Sequence, residues 1–328
     1  MGDPRLGPEA PPEASGPGAP VPSGTVPAGT VPSGTVPAGT VPAGAAASGP
    51  TVLRMVVGAQ LRRLREAAEI STEAAGYEIR GSHSKISRME LGRVGFKERD
   101  VADLLTLYGV DDPVRREALL ELAEQANRPG WWQPYADVVP GWFEPYLGLE
   151  QGAVLIRVFE VQNVPDLLQT PGYARAHIAA RYPDASAEEI DRRVELRMRR
   201  RLVLERPEPV KLWAVLDEAA LRRVVGGPEV MREQLRHLIE ISRLPNVTVQ
   251  VLPFAAGGHA AESGPVTLLR FAEPELPDVV YLEQLTGALY PDRASDVTRY
   301  RDALNRLGVQ AEPPARTSGV IADVLARI

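Results

Sequence analysis

The sequence predicts a multidomain chain: a disordered Pro/Gly-rich N-terminal tail, an all-α domain of five short helices, and a C-terminal α+β domain. Three observations predict it. Residues 1–50 hold no aromatic residue and repeat one pentad five times between Val21 and Ala45 (VPSGT, VPAGT, VPSGT, VPAGT, VPAGA). From Val52 to about residue 128, apolar residues recur at helical spacing between capping serines and Gly or Pro stops. Beyond residue 152, β-branched runs of strand length mix with longer amphipathic stretches. The expected boundaries are therefore 1–50, 51–128, 129–152 and 153–328.

Proline and glycine at the density of the tail neither nucleate a helix nor bury a core. A tether, or an over-extended start ahead of Met55, is the expectation for it; a recognised ligand segment is the alternative. In VVGAQLRRLREAAE, Val57, Leu61 and Leu64 then repeat at helical spacing. Ser71 caps TEAAGYEI, with Glu73 in the first turn where the helix dipole favours it. Gly81 breaks the chain, Ser82 caps HSKISRMEL, and Gly92 ends it. KERDVADLLTLYGV and PVRREALLELAEQA supply a fourth and a fifth helix, the latter opened by Pro113.

Residues 129–152 hold three of the four tryptophans and read as an ordered hinge whose aromatics pack on both domains, with a ligand or partner surface as the alternative. In the C-terminal part, AVLIRVFEVQ, VKLWAVLD, VTVQVLPF, PVTLLRF and DVVYLEQL have strand composition. Between them lie SAEEIDRRVELRMRRRLVLE, opened by a capping box from Ser186 to Glu189, and PEVMREQLRHLIEISR, with Pro228 in its first turn. The basic run RRVELRMRRR (192–201) is expected as a solvated amphipathic face, or else as a surface for an acidic partner.

Composition narrows the function. Cysteine is absent, which excludes a disulfide framework and thiolate-held metals. Histidines 83, 177, 237 and 259 lack metal-ligand spacing, so no metal and no cofactor is expected. No apolar run approaches the roughly 18 residues of a membrane span, and no secretory signal is visible, so a cytoplasmic protein is expected. GGHAAESG (257–264) has neither the G-K-S/T ending of a phosphate loop nor the G-x-S-x-G of a nucleophile elbow. Asp217 and Glu218 are adjacent and diverge from one helix, so no enzyme is expected. The net charge of −6 argues against indiscriminate coating of nucleic acid. The local field is different: residues 54–99 carry net +4 and residues 100–128 net −4.

The basic stretch contains a helix, a tight turn, and a second helix presenting small polar and basic groups, which are the parts of a helix-turn-helix. Ile79, Ile86 and Met89 lie inward, leaving His83, Ser84, Lys85, Ser87 and Arg88 nearer the exposed side. Such a helix suits the major groove, with its N-terminal residues at base edges and its cap at a phosphate.

STEAAGYEIRGSHSKISRMELGR (71–93) resembles the Xre-type, lambda-repressor-like DNA-binding domain. That pattern has a Ser-capped second helix with a small residue inside it, a turn, then I-S-R-x-E-x-G, which Ile86, Ser87, Arg88, Glu90 and Gly92 fit. The resemblance covers about residues 55–112; it departs at Gly76, where alanine is commoner. It implies that His83, Ser84 and Arg88 read bases and that Thr72, Ser82, Lys85 and Arg93 touch phosphates. It also implies a semi-buried ion pair between Arg65 and Glu90, joining the first helix to the third. Residues 140–176, 244–271 and 278–290 resemble the C-terminal domain of actinobacterial Xre-type regulators, a domain of unknown function or antitoxin-like. Together these imply a homodimeric transcription regulator on a double-stranded DNA operator, nucleoid-associated when bound. Its C-terminal domain would serve dimerisation, a ligand or a small partner protein. The alternative is an antitoxin-like partner-binding protein whose DNA binding only autoregulates its operon.

Overall fold

Pro50 at the first helical position starts a helix long enough to have two buried faces. The computed structural model describes residues 49–274 and 276–328, so the tail and its expected disorder lie outside the described residues. The first five helices are α1 (Pro50–Ala67), α2 (Thr72–Glu78), α3 (His83–Glu90), α4 (Glu98–Leu107) and α5 (Pro113–Ala126). Their starts follow from local chemistry. The Ser71 hydroxyl accepts from the Ala74 N–H at 3.1 Å and the Ser82 hydroxyl from the Lys85 N–H at 3.2 Å, satisfying orphan donors of α2 and α3. Leu53, Val57 and Leu61 of α1 pack with Ile79, Ile86, Met89, Leu104 and Leu119 into one helical core.

Val52 and Val56 sit one residue before Leu53 and Val57, about 100° around the helix. Both are fully buried, but in a different core, with Tyr146, Leu149, Ile156 and Leu212. The residues expected as the end of a hinge form α6 (Glu144–Gly152), which lies against α1 at two glycines. A Cβ at Gly148 would come 2.5 Å from Thr51 Cβ, and one at Gly152 2.3 Å from Val52 Cγ2. Upstream, Trp132, Tyr135, Val138 and Val139 pack with Leu147 and Leu196. The helical and C-terminal parts belong to one compact unit.

The C-terminal sheet holds β1 (Leu155–Glu160), β2 (Lys211–Asp217), β3 (Val247–Leu252), β4 (Val266–Arg270), β5 (Val279–Gln284) and β6 (Gly287–Leu289), in the order β3-β2-β1-β4-β5-β6. It is mixed. β1, β2 and β3 run parallel, with Ile156 beside Leu212 and Leu212 beside Val247; β4, β5 and β6 follow antiparallel. Parallel neighbours need long crossovers. Those between β1 and β2 are α7 (Pro171–Arg181) and α8 (Ala187–Arg200); those between β2 and β3 are α9 (Glu218–Arg222) and α10 (Pro228–Ile241). Two more helices, α11 (Ala294–Gln310) and α12 (Thr317–Leu325), close the chain. Side-chain alternation sends Ile156, Leu212, Val247 and Val249 toward Tyr173, Leu235 and Ile321, and Phe159, Val215 and Leu268 toward Leu304 and Leu307. No described helix is long and apolar enough to cross a membrane.

The arginines of α8 are not the solvated face expected of them. Arg192 makes a bidentate pair with Asp137 at 2.6 and 2.7 Å, Arg193 donates to the Val138 carbonyl at 2.8 Å, and Arg200 clamps Glu150 with two bonds of 2.8 Å. The acids and carbonyls come from the Trp-rich segment and α6, beyond the reach of a pattern on one helix.

The close crossing of α1 and α3 depends on Gly58, where a Cβ would lie 2.4 Å from the Met89 carbonyl oxygen and 2.6 Å from that of Glu90. These are rigid backbone atoms, so Gly58→Ala should destabilise the protein by about 1–3 kcal/mol, read as a lowered urea midpoint. Gly141→Ala, where nothing lies within 4 Å, should stay within about 0.5 kcal/mol.

Candidate nucleic-acid interface

A seven-residue α2 and an eight-residue α3 are joined through Arg80, in the left-handed region at φ +52°, and Gly81. Gly76 lets the two helices meet, since a Cβ there would lie 3.0 Å from the Ser82 carbonyl carbon. α3 buries Ile86 and Met89, each 1% exposed. The opposite side carries Ser84, Ser87, Arg88 and Leu91, an i, i+3, i+4, i+7 stripe, all exposed. His83 is exposed in the first turn. Arg88 makes only a 3.4 Å contact from Nε to the Ser84 carbonyl of its own helix. His83, Ser84 and Arg88, the residues expected to read bases, therefore share one solvent-facing surface.

The four residues assigned to phosphates are arranged differently. Thr72 is partly exposed and its hydroxyl lies 3.4 Å from Glu73. The Ser82 hydroxyl is engaged as the α3 cap. The Lys85 ammonium pairs with Asp100 at the start of α4, so it braces α3 against α4 instead of extending into solvent. Arg93 reaches across to the C-terminal part and meets Asp292 at 2.9 Å, with both side chains more than half exposed. Both cations are thus already paired with a carboxylate.

Arg65 and Glu90 are joined in a fork. Arg65 Nε donates to Oε1 at 2.6 Å and Nη2 to Oε2 at 3.0 Å, while Nη1 donates to the Ile70 carbonyl at 2.9 Å. The two side chains are 12% and 7% exposed. One guanidinium thus ties α1, the loop after it, and α3, which suits its planar fork. The hydrogen bond that Arg65 donates to Glu90 raises the Arg65 pKa further. Beside the pair, burial first and the Glu90 charge second push the Tyr108 phenol well above its ordinary range.

Sequence reasoning passed over Tyr77, which is 86% exposed on α2, and the exposed Arg80 in the turn. The signal for Tyr77 was present: Ala75, Gly76 and Ile79 occupy the inward positions of the same short helix, which leaves an aromatic side chain outside, next to the turn.

Compared with known families, residues 56–119 match "Helix-turn-helix domain", and residues 143–323 match "Domain of unknown function (DUF5753)". No curated protein and no solved structure matches the chain.

Because the Arg65–Glu90 pair is largely buried, Glu90→Ala leaves a desolvated guanidinium unpaired and should cost about 3 kcal/mol or more in urea unfolding. The double change Arg65→Met with Glu90→Leu should lose much less than the sum of the single changes.

Proposed function

The chain belongs to the DUF5753 family and carries a helix-turn-helix domain ahead of the family domain, and from that premise we propose that it is a sequence-specific transcription regulator reading an operator's major groove with α3. The observation that carries this reading is the exposed stripe of Ser84, Ser87 and Arg88 on the second helix of the motif. The major groove admits a helix, and a guanidinium can bridge the two acceptors of guanine. The surplus of positive charge in residues 54–99 supports the same face through attraction to phosphate. His83 and Ser84 join Arg88 at base edges. Tyr77 and Arg80 flank them, and Thr72 and Ser82 meet the backbone.

In this reading Lys85 and Arg93 contribute differently from each other. Lys85 holds the angle of α3 through Asp100, and Arg93 exchanges Asp292 for a phosphate when DNA arrives. A homodimer is part of the proposal because domains of this kind read paired half-sites about one helical turn apart. The C-terminal domain, in the same proposal, joins the two copies and receives a ligand or a small partner protein. It is a binding domain and not an enzyme.

The test is a selection from a random duplex pool by the full-length chain, followed by salt-titrated binding to the enriched sequence and to a scrambled one. We expect a strong preference for the enriched duplex, and failure to enrich any sequence overturns the reading. Arg88→Ala should weaken the enriched complex by about 1–3 kcal/mol and relax one base position. Asp292→Asn, which releases Arg93 from an exposed pair, should tighten both duplexes alike by up to about fivefold, the effect shrinking as salt rises.

A further inference from the structure

At the end of β1, on the face covered by α7 and α8, lies a cavity of about 60 Å³ walled by Tyr146, Glu160, Asp166, Arg200, Tyr281 and Glu283. A second cavity of the same size shares Asp166, Arg200 and Glu283. The position is one where open sheets hold ligands: beyond the carboxyl end of a parallel strand. Here it also falls where the sheet turns from parallel to antiparallel, since β1 pairs with β2 on one side and β4 on the other.

The charges around the cavity do not balance. Glu150 is clamped by Arg200 at 2.8 Å, Asp166 accepts from Arg200 at 2.6 Å and faces Arg197 at 3.4 Å, and Glu283 accepts from Arg181 at 2.6 Å and from the Tyr281 hydroxyl at 3.0 Å. Three acids are thereby matched by three arginines. Glu160 is the fourth acid, and its carboxyl has no hydrogen-bond or ion-pair partner among the described residues. His177 is no substitute cation, because burial and then Arg197 lower its pKa. Its Nδ1 accepts from the Arg197 guanidinium at 3.0 Å. The phenols nearby, Tyr146, Tyr173 and Tyr281, are all raised by burial and stay neutral. Burial works to raise Asp166 as well, but Arg197 and Arg200 outweigh it and hold that carboxyl well below its ordinary range.

We propose that this cavity binds a small primary ammonium ion, held by the unengaged Glu160 carboxyl beside Tyr146 and Tyr281. An ammonium offers three donors to a site whose unengaged group is an acceptor. Tyr146 and Tyr281, with ring centroids 4.2 Å apart, line the same cavity beside Glu160. The room suits a head group with a short stem and not a larger molecule. Burial first, then the facing Asp166 and Glu283 carboxylates, push the Glu160 carboxyl up to about 8. Near neutral pH the site therefore holds a proton where the ligand's charge belongs. The ligand leaves as a cation when Glu160 recovers its proton, so no covalent step is involved. Neither the site nor its test depends on DNA binding.

Calorimetric titration of the full-length chain with methylammonium chloride, in two buffers of different ionisation enthalpy, tests this directly. Sodium chloride at equal ionic strength and calcium chloride serve as comparisons. The expected result is saturable binding that releases close to one proton per cation at pH 7, with affinity rising about tenfold per pH unit up to about 8 and levelling above it. That measurement needs no variant. Glu160→Gln, which keeps the shape of the protonated carboxyl, should remove the proton release and weaken binding at least tenfold. The same variant has a second readout. The folded parent holds a proton that the unfolded chain releases at ordinary carboxylate pH, so the parent loses stability as pH rises toward about 8. Glu160→Gln should lack that loss and unfold at a higher temperature than the parent at pH 9. No saturable binding of methylammonium, binding without proton release, binding unchanged in Glu160→Gln, or equal binding of sodium or calcium would each overturn the assignment.

Discussion

The fold depends on one helix being buried twice. Val52 and Val56 of α1 are fully enclosed in the C-terminal core, while Leu53, Val57 and Leu61 are enclosed in the helical core. Five such side chains contribute on the order of 10 kcal/mol, which is comparable with the net stability of a whole domain. Both crossings are made at glycine, α1 giving Gly58 to α3 and α6 giving Gly148 and Gly152 to α1. Backbone lies close to backbone or to a β-branched stem at each crossing, where the absence of a Cβ decides the distance. The result is not two domains on a string. α1 cannot leave either core without exposing apolar surface that the other core does not replace.

The same composition has opposite fates on two arginine-bearing helices. In α8, Arg192, Arg193, Arg197 and Arg200 face acids and carbonyls supplied by other segments, and the Arg200–Glu150 pair is 5% and 1% exposed. Burying such a pair costs desolvation that its attraction barely returns, so its value is to fix the seat of α6 and the turn holding Asp166. In α3, Arg88 is exposed and among the described residues meets only the Ser84 carbonyl of its own helix at 3.4 Å, and the stripe around it holds Ser84, Ser87 and Leu91. No carboxylate among the described residues pairs with the Arg88 guanidinium, which stays exposed at the surface. The difference between scaffold and reading surface lies in what stands opposite, which no helical wheel records.

That contrast also marks how far the sequence could be read. Caps at Ser71 and Ser82, the inward pair Ile86 and Met89, and the five strand-like runs at β1–β5 were legible because each is a local pattern with a local cause. The second face of α1 was not, because Val52 and Val56 look like the apolar start of an ordinary amphipathic helix. α6 was hidden by Pro145, Gly148 and Gly152, which read as breakers; the proline sits in the first turn, and the glycines are there for the crossing with α1. β6 was three residues long and carried no period. The pairings of Lys85 with Asp100 and Arg93 with Asp292 span 15 and 199 residues, so both looked like cations open to phosphate. Glu160 lies inside the strand-like run AVLIRVFEVQ, and only the fold places it among Asp166, Glu283 and their arginines.

Packing at α1 and α6 joins the charged cluster beneath the sheet to the helical core. α6 carries Tyr146 and Glu150 into the charged cluster beneath the sheet, and its two glycines seat it on α1. α1 in turn meets α3 at Gly58 and grips it again through Arg65 and Glu90. A tethered DNA-binding domain takes its orientation from its linker, and a change in a distant domain reaches it as a change in reach. Here α6, α1 and α3 meet directly at glycine crossings. The helix that opens the helical part therefore begins inside the core of the other part, with Val52 and Val56 enclosed there.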